Sequence, residues 1–128
     1  MTAYTEAEGQ TLRTAVFGAM VLVSTADPGS VDEESYAGIR AMSLLSDDLR
    51  AVVAAAPPAL PQGSASDVEA GVLAALRSAV EIINAHEPHD VAIFRAAVTE
   101  MCRSVAGADG EVAATEREMV TRVVEALA

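Results

Sequence analysis

A chain of 128 residues with a formal charge of −11 suits a single domain, and its composition already narrows the field of partners. Hydrophobic residues make up 52%, but alanine fills 27 positions, so the larger apolar side chains must line up on faces to build a core. Eight arginines and no lysine stand against nineteen acidic residues, which argues against nucleic-acid binding and direct docking on anionic lipid. Such acidity suits solubility, a divalent cation or a basic partner protein. The lone cysteine, Cys102, cannot close an internal disulfide, which fits a reducing compartment. Glu6 and Glu8 precede the first basic residue, Arg13, the reverse of a signal peptide, and the longest apolar run, Ala15 to Val23, is too short for a bilayer. The chain is therefore expected to be cytoplasmic, with no direct membrane insertion.

Hydrophobic spacing is helical throughout. Leu12, Val16, Ala19/Met20 and Val23 stripe a first helix over residues 5–26, which Asp27-Pro28-Gly29 stops. A second helix starts near Asp32, with Glu33 and Glu34 in its first turn and Val31 and Tyr36 placed for a hydrophobic staple. Its stripe is Ile39, Met42, Leu45, Leu49 and Val52/Val53, and it ends before Pro57-Pro58. Residues 57–64 form a loop. The third helix, residues 66–87, opens on Ser66-Asp67-Val68-Glu69, which has the form of a capping box, and its face is Val68, Val72, Leu76, Val80 and Ile83. Pro88 fits the first position of a fourth helix that carries Val91, Phe94, Val98, Met101 and Val105. After Gly107 to Gly110 a last helix runs over about Thr115–Leu127 on Met119, Val120, Val123 and Leu127. The expected architecture is all-α: one compact bundle of about five helices.

Two turns repeat one another. Val23-Ser24-Thr25-Ala26-Asp27 aligns with Val105-Ala106-Gly107-Ala108-Asp109, while Leu12, Val16 and Met20 align upstream with Phe94, Val98 and Cys102. Downstream, Val31 precedes Ile39 by the same interval as Val112 precedes Val120. The reading is two pseudo-repeated helix-turn-helix halves, 5–56 and 88–128, joined by a bridging helix.

The second of these turns, Ala108-Asp109-Gly110-Glu111-Val112 followed by Glu116, resembles the A-D-G-x-[IV]-x-x-x-E motif of TerB-like domains. The stretch from Val23 to Val31 resembles a degenerate first copy, with Pro28 inserted and Ser35 where the motif glutamate would fall. The resemblance implies a non-enzymatic helical module of bacterial tellurite-resistance and stress-response systems, linked to divalent metal and to protein assemblies near the inner membrane. It transfers best to Asp109, Glu111 and Glu116, and less well to Asp27 and Glu34.

Candidate sites follow from the same acidic turns. Asp109, Gly110 and Glu116 have the spacing of positions 5, 6 and 12 of an EF-hand loop, but Val105 and Gly107 stand where carboxylates should be, so a full EF-hand is excluded. A weak, calcium-like site would need Asp27, Asp109, Glu111 and Glu116 to converge. The competing reading makes Asp109-Gly110 a helix-ending turn and the glutamates supports for the next helix N-terminus. Glu33, Glu34, Asp47 and Asp48 offer an acidic face that is either solvated or a dock for a basic partner. His86-Glu87-Pro88-His89-Asp90 reads as a polar cap rather than a metal cluster, and Cys102, on an apolar stripe, as core rather than nucleophile. No catalytic motif is present. Leu22, Leu44, Ile82 and Ile93 lie off the stripes and suggest either central burial or a homodimer through apolar helix faces. A small-ligand site between the halves is a third possibility.

Overall fold

In the computed structural model, residues 4–26, 45, 47–55, 61–106 and 114–128 are described. Among them the regular elements are five α-helices and no strand: α1 (Glu6–Ala26), α2 (Asp47–Ala54), α3 (Ala65–His86), α4 (Asp90–Ala106) and α5 (Ala114–Leu127). The all-α bundle expected from periodicity is what forms. No helix among the described residues is long and apolar enough to cross a membrane.

Each helix contributes its apolar stripe to one shared core. Leu12, Val16, Ala19 and Val23 of α1 are buried, as are Leu49 and Val53 of α2, and Val72, Leu76 and Ile83 of α3. Phe94, Val98 and Met101 of α4 and Val123 and Leu127 of α5 close the set. Burying one such side chain contributes about 1.5–3 kcal/mol, which is why stripes rather than propensity decide where the helices lie. Helix α1 is the hub, packed against each of the other four, and α3, α4 and α5 also pack on one another.

Contacts between named side chains set the directions. Glu8 of α1 meets His86 of α3, and Gly18 lies against Val72, so α1 and α3 run antiparallel. A three-residue turn, Glu87–His89, then reverses the chain into α4. Arg95 Nε donates to the Leu127 carbonyl at 2.6 Å, placing the end of α5 beside the start of α4 and satisfying a helix-terminal acceptor. The C-terminal ends of α1 and α4 therefore both lie away from the Glu87–His89 turn.

Local chemistry at the helix starts differs from expectation in two places. The capping box of α3 is Ser64 with Asp67, two residues earlier than Ser66 with Glu69: Asp67 N–H donates to Ser64 Oγ at 3.2 Å and Ser64 N–H to Asp67 Oδ2 at 3.1 Å. The preceding residue, Gly63, has φ +124°, and an added Cβ would sit 2.7 Å from Asp67 Oδ2. A conformation open to glycine thus brings the chain into the earlier cap. Pro88 is not the first residue of α4; the carbonyls of Glu87 and Pro88 accept from Asp90 and Val91, and the helix begins at Asp90. Leu22, set apart from the stripes in the sequence, is buried because α1 is surrounded. Ile93 remains exposed.

Candidate functional site

Of the expected cation ligands, Asp27, Asp109 and Glu111 lie outside the described residues, as do Glu33, Glu34 and Leu44. Glu116 is described and is fully buried in the first turn of α5. Asp47 is exposed and pairs with Arg50 at 2.6 Å, an i,i+3 contact worth little on an open surface. The side chain of Asp48 lies outside the described set. Among the described residues, no group of three or more His, Cys, Asp or Glu side chains is placed to hold a metal ion.

The histidines do not form a cluster. His89 pairs with the neighbouring Glu87 at 3.0 Å. His86, at the end of α3, instead reaches α1: its Nε2 lies 3.1 and 3.2 Å from the two Glu8 oxygens. The Tyr4 ring stacks on it, tilted by 50° with centroids 4.7 Å apart. Glu8 also closes a capping box, accepting from Thr5 N–H at 2.9 Å while its own N–H donates to Thr5 Oγ1 at 3.1 Å. The Thr5 amide, and after it the His86 ring, hold the Glu8 carboxyl below its ordinary range. This arrangement pins the start of α1 to the end of α3. Thr5-x-x-Glu8 has the same capping form as the box sought at Ser66, and is the signal by which it could have been found.

Beside this cluster, α1 carries a second feature. Arg13 projects from the core-facing side of α1 and is only 6% exposed. Its Nη1 donates to the Val52 carbonyl at 2.9 Å and its Nη2 to Gln10 Oε1 at 3.3 Å. Its Nε–H is buried and meets no acceptor, and among the described residues the guanidinium forms no ion pair. Arg13 lines a cavity of about 330 Å³ together with Tyr4, Thr5, Glu6, Gly9, Val52 and Ala55, between the start of α1 and the end of α2.

Cys102 is fully buried in α4 and burial pushes its thiol up to about 12, so at neutral pH it is a protonated core side chain.

Comparisons with models of known families, with curated proteins and with solved structures find no match to this chain. The likeness to TerB-like domains accordingly rests on the motif residues alone.

Proposed function

We propose that the chain is a non-enzymatic helical module of the TerB-like kind, in which the turns following α1 and α4 supply carboxylates to a divalent cation or a basic partner. The observation that carries the reading is Glu116. A glutamate is rarely buried without compensation, because an ionised carboxylate leaves water only in exchange for donors or a cation. This one is buried at a helix N-terminus, where the backbone amides and the positive end of the dipole favour an anion. Helical side chains lean toward the N-terminus, which sets this carboxylate at the start of α5. The first acidic turn follows α1, whose end lies on the same side of the bundle, away from the Glu87–His89 turn. This is consistent with carboxylates from both turns serving one end of the molecule.

Thermal melts with and without calcium test the reading. A cation that binds only the folded state raises stability by RT ln(1 + [L]/Kd), and an incomplete carboxylate set predicts a Kd of roughly 10⁻⁴ to 10⁻³ M. Millimolar calcium should raise the melting temperature by a few degrees, and Asp109→Asn should remove most of the shift. Sodium chloride at matched ionic strength is the control, since screening alone stabilises so acidic a chain. If sodium reproduces the whole effect, or the Asn variant responds like the native chain, cation binding is refuted.

A second reading, a homodimer through apolar helix faces, draws on Ile93 and Val124, the large hydrophobic side chains left exposed on α4 and α5. It predicts a melting temperature that rises with protein concentration and ignores calcium.

A further inference from the structure

We infer that the cavity between the start of α1 and the end of α2 binds a small, singly charged carboxylate whose apolar body packs beside the Arg13 guanidinium. This site is separate from the acidic turns and stands or falls independently of them.

A guanidinium that is nine-tenths buried has lost most of its hydration, and such a charge is retained where an anion or a full set of acceptors replaces the water. Among the described residues Arg13 has two acceptors, the Val52 carbonyl and the Gln10 amide oxygen, both uncharged. A guanidinium offers five N–H donors, so its capacity is partly unused, and the buried Nε–H marks the deficit. Described carboxylates such as Glu6 and Glu8 lie on the same helix, yet among the described residues none pairs with Arg13.

The cavity supplies what such a charge lacks. Its volume, about 330 Å³, is at the small end of the range for small-molecule sites. Tyr4, Val52 and Ala55 give it an aromatic and aliphatic lining. Gly9 keeps the ground beside the guanidinium clear: a Cβ there would stand 3.4 Å from Arg13 Nη1 and 3.4 Å from Val52 Cγ1. A planar carboxylate matches the guanidinium fork, and an apolar body matches the walls. Single charge is favoured over double, because Glu6 lines the same cavity and Glu8, held ionised by Thr5 and His86, lies within the same turn of α1.

Sodium benzoate is the probe, with benzamide as its uncharged counterpart, sodium phosphate as a more highly charged anion, and sodium chloride at matched ionic strength. One charge-assisted contact and a small apolar body predict a Kd on the order of 10⁻³ M. At tenfold over that value, benzoate should raise the melting temperature by roughly 3–5 °C, and benzamide, phosphate and chloride should not. Arg13→Met should abolish the benzoate response. Ala55→Phe, at an exposed position on the cavity wall, should fill the space and abolish it while leaving Arg13 and the core in place. Calorimetric titration of the native chain and Ala55→Phe gives the same comparison without melting. Equal responses to benzoate and benzamide, or an undiminished response in Ala55→Phe, overturn the proposal. So does a phosphate response larger than that of benzoate. Should benzoate act only after Asp48→Asn, one turn before Val52, the guanidinium serves a carboxylate of its own chain, and the ligand site is refuted.

Discussion

Replacing Gly18 by alanine sets a gain in helix propensity against a clash in the core. In the interior of α1, alanine favours the helix over glycine by about 1 kcal/mol. The new Cβ, however, would stand 2.6 Å from Val72 Cγ2, 3.0 Å from Cγ1 and 3.3 Å from Cβ. Carbon atoms attract best at roughly 3.5–4.0 Å, so all three contacts lie on the repulsive side. Val72 is fully buried in α3, and a β-branched side chain in a helix has essentially one rotamer, so its methyls cannot swing away. Overpacking of this kind costs about 1–3 kcal/mol. The net expectation is a loss of about 0–2 kcal/mol, too close to zero to be decisive alone.

A double-mutant cycle with Val72→Ala removes the ambiguity. Deleting the two methyls costs about 2–3 kcal/mol through lost burial and the space left behind. In that background the Gly18→Ala methyl fills part of the space, and the propensity gain stands unopposed. Gly18→Ala should therefore change sign between backgrounds, with a coupling of at least ~1 kcal/mol. Urea denaturation followed by far-UV circular dichroism measures all four corners. If Gly18→Ala has the same effect in both backgrounds within about 0.3 kcal/mol, the close approach of α1 and α3 does not limit stability, and the packing argument is wrong.

Two further expectations concern titrating groups. Cys102 has a folded-state pKa raised from 9.0 to about 12, so its burial stabilises the fold fully below 9 and progressively less as pH rises toward 12; native thiol labelling should be slow, and Cys102→Ala should flatten the alkaline loss of stability. Rapid labelling of the native chain would contradict the buried placement. Glu8 is shifted the other way, chiefly by the Thr5 amide and then by His86, so its contribution is present above its ordinary value of 4.5 and lost as pH falls below it. Glu8→Gln should be less stable than the native chain near neutrality, and the gap should close in acid; a gap independent of pH would show that the carboxylate charge plays no part.

How much of this was legible in the sequence follows from what each signal depends on. Stripes such as Val72, Leu76 and Ile83, or Phe94, Val98 and Met101, depend only on burial at helical spacing, and apolar burial is the dominant force driving a chain to fold. Helix starts were less legible. Ser66-x-x-Glu69 and Ser64-x-x-Asp67 compete within one stretch, and the competition turns on the backbone of Gly63, a difference smaller than one core side chain. His86 reads in the sequence as part of a polar cap on the fourth helix, yet its partner Glu8 is 78 residues away, and no local pattern encodes a contact of that separation. Glu116, by contrast, was singled out by the motif, but its full burial was not readable from the motif's spacing.

Arg13 was passed over for a related reason, and the reason bears on where function is to be sought. On an amphipathic helix an arginine next to an apolar stripe ordinarily lays its stem along the core and lifts its charge into water. That reading holds only while the helix has a solvent side. Helix α1 is packed by four neighbours, and the side on which Arg13 could escape is taken by α2, whose Val52 carbonyl caps the guanidinium instead. The same crowding accounts for the burial of Leu22 and for the need for glycine at position 18. Being central, α1 converts residues that would be surface on any other helix into interior ones, and a charge caught this way must be matched by chemistry. Where the described chain supplies only two neutral acceptors, the remaining demand falls on what enters the cavity beside Tyr4 and Val52. That makes the Arg13 cavity a better place to look for specificity than the exposed Asp47 carboxylate, which already pairs with Arg50.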